Sequence, residues 1–184
     1  MDSVLTLPEW HGNGDAMRAL QTELAQQVSL RDGFAKSLRT VAGFDVGFEE
    51  DGNITRAAAV LLDAATLAVI DQQVARLPTR MPYVPGLLSF RELPALLEAL
   101  GMLSSPPDLA FVDGHGIAHP RRFGIASHFG VATGLPSIGV GKSIHVGEAK
   151  LTLHEMRGAF TPLRDGRKQI GWLLRSKPGC LPLV

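Results

Sequence analysis

Cysteine is almost absent from this chain. Cys180 is the single one in 184 residues, which excludes a disulfide framework and any CxxC metal site. Long apolar runs are missing too. The longest uncharged one, Ala57 to Leu62, is far short of the ~20 residues that span a bilayer. The start, Met1 to Trp10, lacks a basic stretch followed by an apolar one, so no secretory signal is read there. Internal repeats and low-complexity segments are also lacking. These absences predict a soluble, intracellular chain with no membrane partner; a cytoplasmic monomer is the expectation carried alongside. Neither sign of charge is in excess, with 18 basic against 18 acidic residues. That balance hides a split. Residues 1–120 carry 15 acidic and 8 basic side chains, and residues 121–184 carry 3 and 10. Such asymmetry can mark a nucleic-acid surface or an acidic cation site.

What is present suits one domain over residues 1–184, long enough to bury roughly 70% of its unfolded surface. Apolar residues make up 45% and charged ones 20%, which rules out a disordered or fibrous chain.

Residues 15–34 read as an amphipathic helix, with Asp15 as N-cap and Met17, Leu20, Leu24 and Val28 at helical spacing. Thr40–Phe48, Arg56–Leu62 and Leu67–Leu77 read as three strands with short links, hence an antiparallel meander. A stiff proline-rich loop occupies 78–87, and a helix 89–104 follows. The order then becomes strand (Leu109–Asp113), helix (Arg121–Thr133), strand (Ser137–Val140), which implies parallel pairing. From Leu151 a helical turn is expected, then a hairpin around Asp165-Gly166. This order suits an α/β fold of ribonuclease H-like type: a mixed sheet flanked by helices.

Asp45 interrupts an apolar strand, where a carboxylate is unfavourable unless a cation or hydrogen bonds compensate. Asp113 ends a second apolar strand. Carboxylates at the ends of neighbouring strands can converge at the carboxyl edge of a sheet. With Glu92 from the helix 89–104 between those strands they make an all-oxygen set suited to Mg²⁺ or Mn²⁺, and such a site can stabilise a phosphoryl transition state. Each has a plainer reading: a turn-capping or salt-bridged Asp45, a loop-starting Asp113, and a capping box in Ser89-Phe-Arg-Glu92. Pro94 argues against that box, being too deep in a helix that starts at Ser89. Lys142 follows a buried strand, where it either meets a phosphate or is merely solvated. Gly139-Val-Gly-Lys142 is too short for a P-loop.

Tyr83 is the only tyrosine. Pro82 and Pro85 hold it on a rigid loop, and such an aromatic can push between bases. The alternative is a tyrosine packed on the surface. His119-Pro-Arg121-Arg122 offers phosphate contacts, and Gly114 and Gly116 allow close backbone approach to a ligand or simply a tight turn. His128, His145 and His154 show no metal spacing and receive no role.

Taken together, Gly43-Phe-Asp-Val-Gly47, Met81-Pro-Tyr-Val-Pro-Gly86, Leu88-Ser-Phe-Arg-Glu92, Phe111-Val-Asp-Gly-His-Gly116, His119-Pro-Arg-Arg122 and Ile138-Gly-Val-Gly-Lys142 resemble the endonuclease V family in order and spacing. The resemblance implies a Mg²⁺-dependent nuclease, Mn²⁺ substituting, that cuts the second phosphodiester bond 3′ to deoxyinosine. The ends left are 3′-hydroxyl and 5′-phosphate. It implies Asp45 and Asp113 as metal ligands, Glu92 completing the set, and Lys142 at the phosphate. Tyr83 would be the wedge, with Arg121 and Arg122 beside the DNA. The base pocket would come from Leu88, Gly114 and Gly116, with His119 nearby. Family members continue past a motif like Cys180–Val184, so the expectation here is a chain without their last core helix and one group near the metal. Two other readings are a lesion-binding remnant that does not cleave and an inosine-specific endoribonuclease. A phosphotransferase, suggested by Asp45-Val-Gly47, needs a second phosphate loop and a longer chain.

Overall fold

In Val41 to Val46 side chains alternate between a buried set, Ala42 and Phe44, and an open set that holds Gly43 and Asp45. That period of two is the strand signature, and it puts the apolar residues on one face and Asp45 on the other. The computed structural model describes residues 9–33 and 37–184. Its strand β1 (Thr40–Glu49) pairs antiparallel with β2 (Ile54–Asp63), which pairs antiparallel with β3 (Val69–Pro78). On its other side β1 pairs parallel with β4 (Leu109–Asp113), and β4 pairs parallel with β5 (Ser137–Val140). The sheet order is therefore β3-β2-β1-β4-β5, the meander followed by parallel strands that the sequence order predicts.

Helices α2 (Leu88–Met102) and α3 (Ile125–Thr133) cover one face. Leu93, Leu96 and Phe129 meet Phe44, Leu61 and Val112 there, all at most 3% exposed. The opposite face, with Leu109, Phe111 and Ile138, lines a groove of about 1020 Å³ that also touches Trp172. A separate hairpin, β6 (Phe160–Asp165) and β7 (Lys168–Leu174), turns at Asp165-Gly166 as expected.

Several boundaries differ from the sequence reading. The first helix, α1, runs only Gly14–Leu24, followed by a 3-10 turn at Ala25–Gln27. Val28 is already extended, although it continues the apolar spacing; residue 34 lies outside the described residues. The N-cap is Asn13, whose side chain accepts from the amides of Asp15 and Ala16, while Asp15 pairs with Arg18. Leu67 belongs to the turn before β3, in the left-handed region at φ 58°.

Helix α3 starts at Ile125 rather than Arg121. Arg122 has φ 57° and Gly124 is extended, so neither residue continues a helix. A Cβ on Gly124 would also strike the carbonyl of His115. Residues 151–159 form bends and turns, not a helical turn. The capping box does not form. Helix α2 begins at Leu88, one residue before Ser89, and carries Pro94 within it. The Ser89 hydroxyl instead meets Nδ1 of His128 at 3.1 Å. Among the described residues no helix is long and apolar enough to cross a membrane.

Candidate active site at the carboxyl edge of the sheet

Strand register brings the acids together. Phe44 pairs with Val112 at the last position of the β1–β4 ladder. One residue further on, where the β1–β4 ladder ends, Asp45 and Asp113 stand side by side, each still paired on its other flank, to Ala58 and Val140. Asp113 in turn pairs with Val140 of β5, so Lys142 emerges two residues beyond on the neighbouring strand. Its Nζ lies 2.6 Å from Oδ2 of Asp113. The two Asp positions are set by backbone pairing, and Lys142 follows just past the end of β5.

The electrostatics follow from that crowding. Asp45 is held above the ordinary carboxylate range by partial burial, then by direct contact with the Asp113 carboxyl. The amide of Val46, donating to Asp45 Oδ1 at 2.8 Å, opposes the rise. Glu92 comes from the buried side of α2 and is 8% exposed. Burial, and then the charges of Asp113 and Asp45, push it up to about 7; the Arg91 guanidinium opposes them. Lys142 is raised by its bond to Asp113.

Asp45, Glu92 and Asp113 share a cleft of about 340 Å³ with Tyr83, Leu88, Gly114 and His119. Tyr83 stands at its rim, 64% exposed, on a loop whose ends are pinned by buried Met81 and Leu87. Pro82 and Pro85 are exposed on either side of it. His119 is buried, and its Nδ1 accepts from the Arg121 amide at 3.3 Å. Burial and then the charge of Arg121 lower it to about 4, so the ring is neutral at pH 7. Gly114 has φ 123°, and a Cβ there would meet Ile125 Cγ2 at 2.5 Å. Gly116 lies outside this cleft and lines the groove on the opposite face. It packs so tightly on Gly139 that a Cβ on Gly139 would lie 2.5 Å from its nitrogen.

Arg121 and Arg122 are engaged within the protein. Arg121 bonds to Gln21 and to the Gly86 carbonyl, and Arg122 pairs with Asp165 in the hairpin turn. Sequence reasoning gave no role to Gln21, nor to His145, whose ring lies 5.6 Å from both His115 and His119 at the cleft. Gln21 is polar on the buried side of an amphipathic helix, and that misplacement is the signal that singles it out.

Among the described residues no three His, Cys, Asp or Glu side chains form a ready-made metal cage. The donor chemistry still fits a hard divalent cation. Two carboxylates touch, all donors are oxygen, and the Lys142 ammonium already sits where positive charge is favoured. Mg²⁺ retains several waters and needs only one or two carboxylates.

A β3-β2-β1-β4-β5 mixed sheet, with one acid inside β1 where its pairing with β4 stops and another at the end of β4, defines the ribonuclease H-like class. Comparison with known proteins narrows it. The family model for Endonuclease V matches residues 22–184. An Endonuclease V of Xanthomonas campestris pv. campestris (strain 8004) is 61% identical over 175 residues, 95% of this chain and 74% of its own length. The crystal structure of Endonuclease V from Streptomyces avermitilis superposes with a TM-score of 0.86 at 42% identity, covering 97% of this chain and 77% of that one. Endonuclease V of Ciona intestinalis, in complex with a 24mer DNA containing an inosine followed by a ribo-adenosine, has a TM-score of 0.66 at 27% identity. It covers 73% of this chain and 59% of that chain. This chain belongs to the endonuclease V family, a class of nucleases.

Proposed function

We propose that this chain, acting as one cytoplasmic, monomeric domain over residues 1–184, is a Mg²⁺-dependent repair endonuclease for DNA carrying deoxyinosine. On this reading it cuts the second phosphodiester bond 3′ to the lesion and leaves 3′-hydroxyl and 5′-phosphate ends, with Mn²⁺ able to replace Mg²⁺. The observation that carries the proposal is the contact between Asp45 and Asp113 in one cleft with Glu92 and the exposed Tyr83.

Each part has a physical task. Asp45 and Asp113, with Glu92 completing the set, hold the cation. A bound divalent cation offsets the negative charge that develops on the phosphoryl group. Lys142, freed from part of its pairing to Asp113 when a cation is present, neutralises the phosphate on the same side. Tyr83 enters the stack where the lesion leaves it. The extruded base meets the Leu88 and Gly114 end of the cleft, with the neutral His119 ring as a hydrogen-bonding wall and Gly116 supporting the turn from behind. Extrusion from a mispaired inosine is less unfavourable than from a Watson–Crick pair, which contributes selectivity. The likeness to a relative solved on inosine-containing DNA supports the choice of lesion.

The test is incubation of the purified chain and Mg²⁺ with a deoxyinosine duplex, beside an undamaged duplex and an inosine-containing RNA. A nick at the second bond 3′ to deoxyinosine is expected. Retarded migration without a nick identifies a lesion binder instead, and cutting confined to the RNA identifies an endoribonuclease.

A further inference from the structure

Arg121 faces inward. Its Nη2 donates to the carbonyl of Gly86 at 2.7 Å, and its Nε donates to Oε1 of Gln21 on α1. Gln21 is 1% exposed, and its Nε2 donates to the carbonyl of Phe123 at 2.8 Å. The amide of Gln21 thus uses both ends: one holds the backbone after Arg121, the other aims the guanidinium. Gly86 closes the loop that carries Tyr83. It has φ 79°, and a Cβ there would lie 2.6 Å from Arg121 Nη2, so the backbone can approach the guanidinium only without a side chain. Apolar packing of Met17 on α1 against Met81 and Leu87 seats both ends of the same loop.

We infer that Gln21 and Arg121 form a strut from α1 to Gly86 that fixes the angle at which Tyr83 is presented. They are positioning residues, and the direct phosphate role expected for Arg121 is secondary. A tyrosine at a loop tip that is 64% exposed has no packing of its own to hold it, so its direction depends on the backbone beneath it. Hydrogen bonds from a charged donor are roughly twice as strong as neutral ones, and the Gln21 end of these is buried. The purpose of the strut, aiming a wedge, rests on the nuclease reading; its existence does not.

Two measurements separate those claims. Tyr83 is the only tyrosine, so 3-fluorotyrosine labels this one position for fluorine NMR of the free protein. In Gln21→Met and Arg121→Met, which keep bulk but remove the polar atoms, its transverse relaxation rate should fall by roughly a third as the tip loosens. Arg121→Lys, which reaches one acceptor rather than two, should lie between and guards against a variant that fails to fold. An unchanged signal in folded Gln21→Met or Arg121→Met overturns the strut. The second measurement is affinity for duplex with and without deoxyinosine, no divalent cation being added. Both Met variants should lose about tenfold on the lesion duplex and nothing on the undamaged one. Equal loss on both duplexes by Arg121→Met, with Gln21→Met unaffected, would make Arg121 a phosphate contact and reject the strut. If wild-type protein itself shows no preference for the lesion, the lesion recognition assumed by the nuclease reading fails while the fluorine result stands.

Discussion

The Nζ of Lys142 lies 2.6 Å from Oδ2 of Asp113, on a side chain that is 76% exposed. A pair so open contributes little to stability, because solvent screens it. Its place beside the Asp45 carboxylate gives it a different use. Lys142→Ala should therefore leave the urea midpoint nearly unchanged and slow cleavage of a deoxyinosine duplex by about a hundredfold. Single-turnover rates beside equilibrium unfolding check this. A variant that unfolds early yet cuts normally would assign Lys142 to the fold.

Asp45 and Asp113 repel each other in the absence of a cation, since contact with Asp113 raises the proton affinity of Asp45. Removing one charge relieves that repulsion. Asp45→Asn should raise the urea midpoint of metal-free protein while lowering cleavage by more than about a hundredfold. Mg²⁺ should stabilise the wild type and not this variant, because only a state that binds the ion gains from its presence. Asp113→Ala should likewise abolish cutting and spare much of the DNA binding. Wild-type cutting by either variant removes that residue from the metal site.

Much of this site was legible in the sequence because strands carry their side-chain pattern openly. Asp45 and Asp113 each end or break an apolar alternation, and parallel register does the rest, placing them one step past Phe44 and Val112. The mixed sheet, a meander and then parallel strands, followed from element order, but the docking of β4 beside β1 did not. Gln21 was not legible, because its partners Arg121 and Phe123 lie a hundred residues away in a loop with no period. The early stop of α1 and late start of α3 were hidden too. The first depends on Val28 turning extended and the second on positive φ at Arg122 and a steric demand at Gly124. Ser89 fitted a local capping pattern, but its hydroxyl is taken by His128 from α3, a tertiary contact that outbids the local one.

Tyr83 shares the cleft with the acids but makes no hydrogen bond to them, so its loss should act on lesion recognition rather than on chemistry. A base stacked on an aromatic side chain is stabilised by about 1–3 kcal/mol. Tyr83→Ala should weaken affinity for a deoxyinosine duplex by about tenfold or more, with Tyr83→Phe close to wild type, because the ring and not the hydroxyl does the stacking. Competition binding against an undamaged duplex reads the effect. Unchanged lesion affinity in the alanine variant would end the wedge role.

His128 makes a contribution to the pH dependence of stability opposite in sign to that of Glu92, whose raised pKa of about 7 favours the folded state as pH falls. Its ring is 1% exposed, between Phe90 at 4.8 Å and Phe123 at 4.9 Å, and burial lowers its pKa from 6.5 to about 4. The unfolded chain binds a proton at this residue near pH 6.5, whereas the folded chain resists until about pH 4. Between those values the unfolded state holds more protons at this residue, so its contribution to stability rises with pH. The stabilisation is complete above pH 6.5 and drains away as pH falls through the window, by about 1.4 kcal/mol per pH unit at the steepest. His119, also lowered to about 4, adds a parallel contribution. His128→Gln keeps a polar group for Ser89 but cannot titrate. Its unfolding free energy, measured in urea from pH 7 to pH 4.5, should start lower than that of wild type and decline with a slope shallower by about one proton. A slope equal to wild type would show that His128 is already charged in the folded protein, contrary to its burial between two phenylalanine rings.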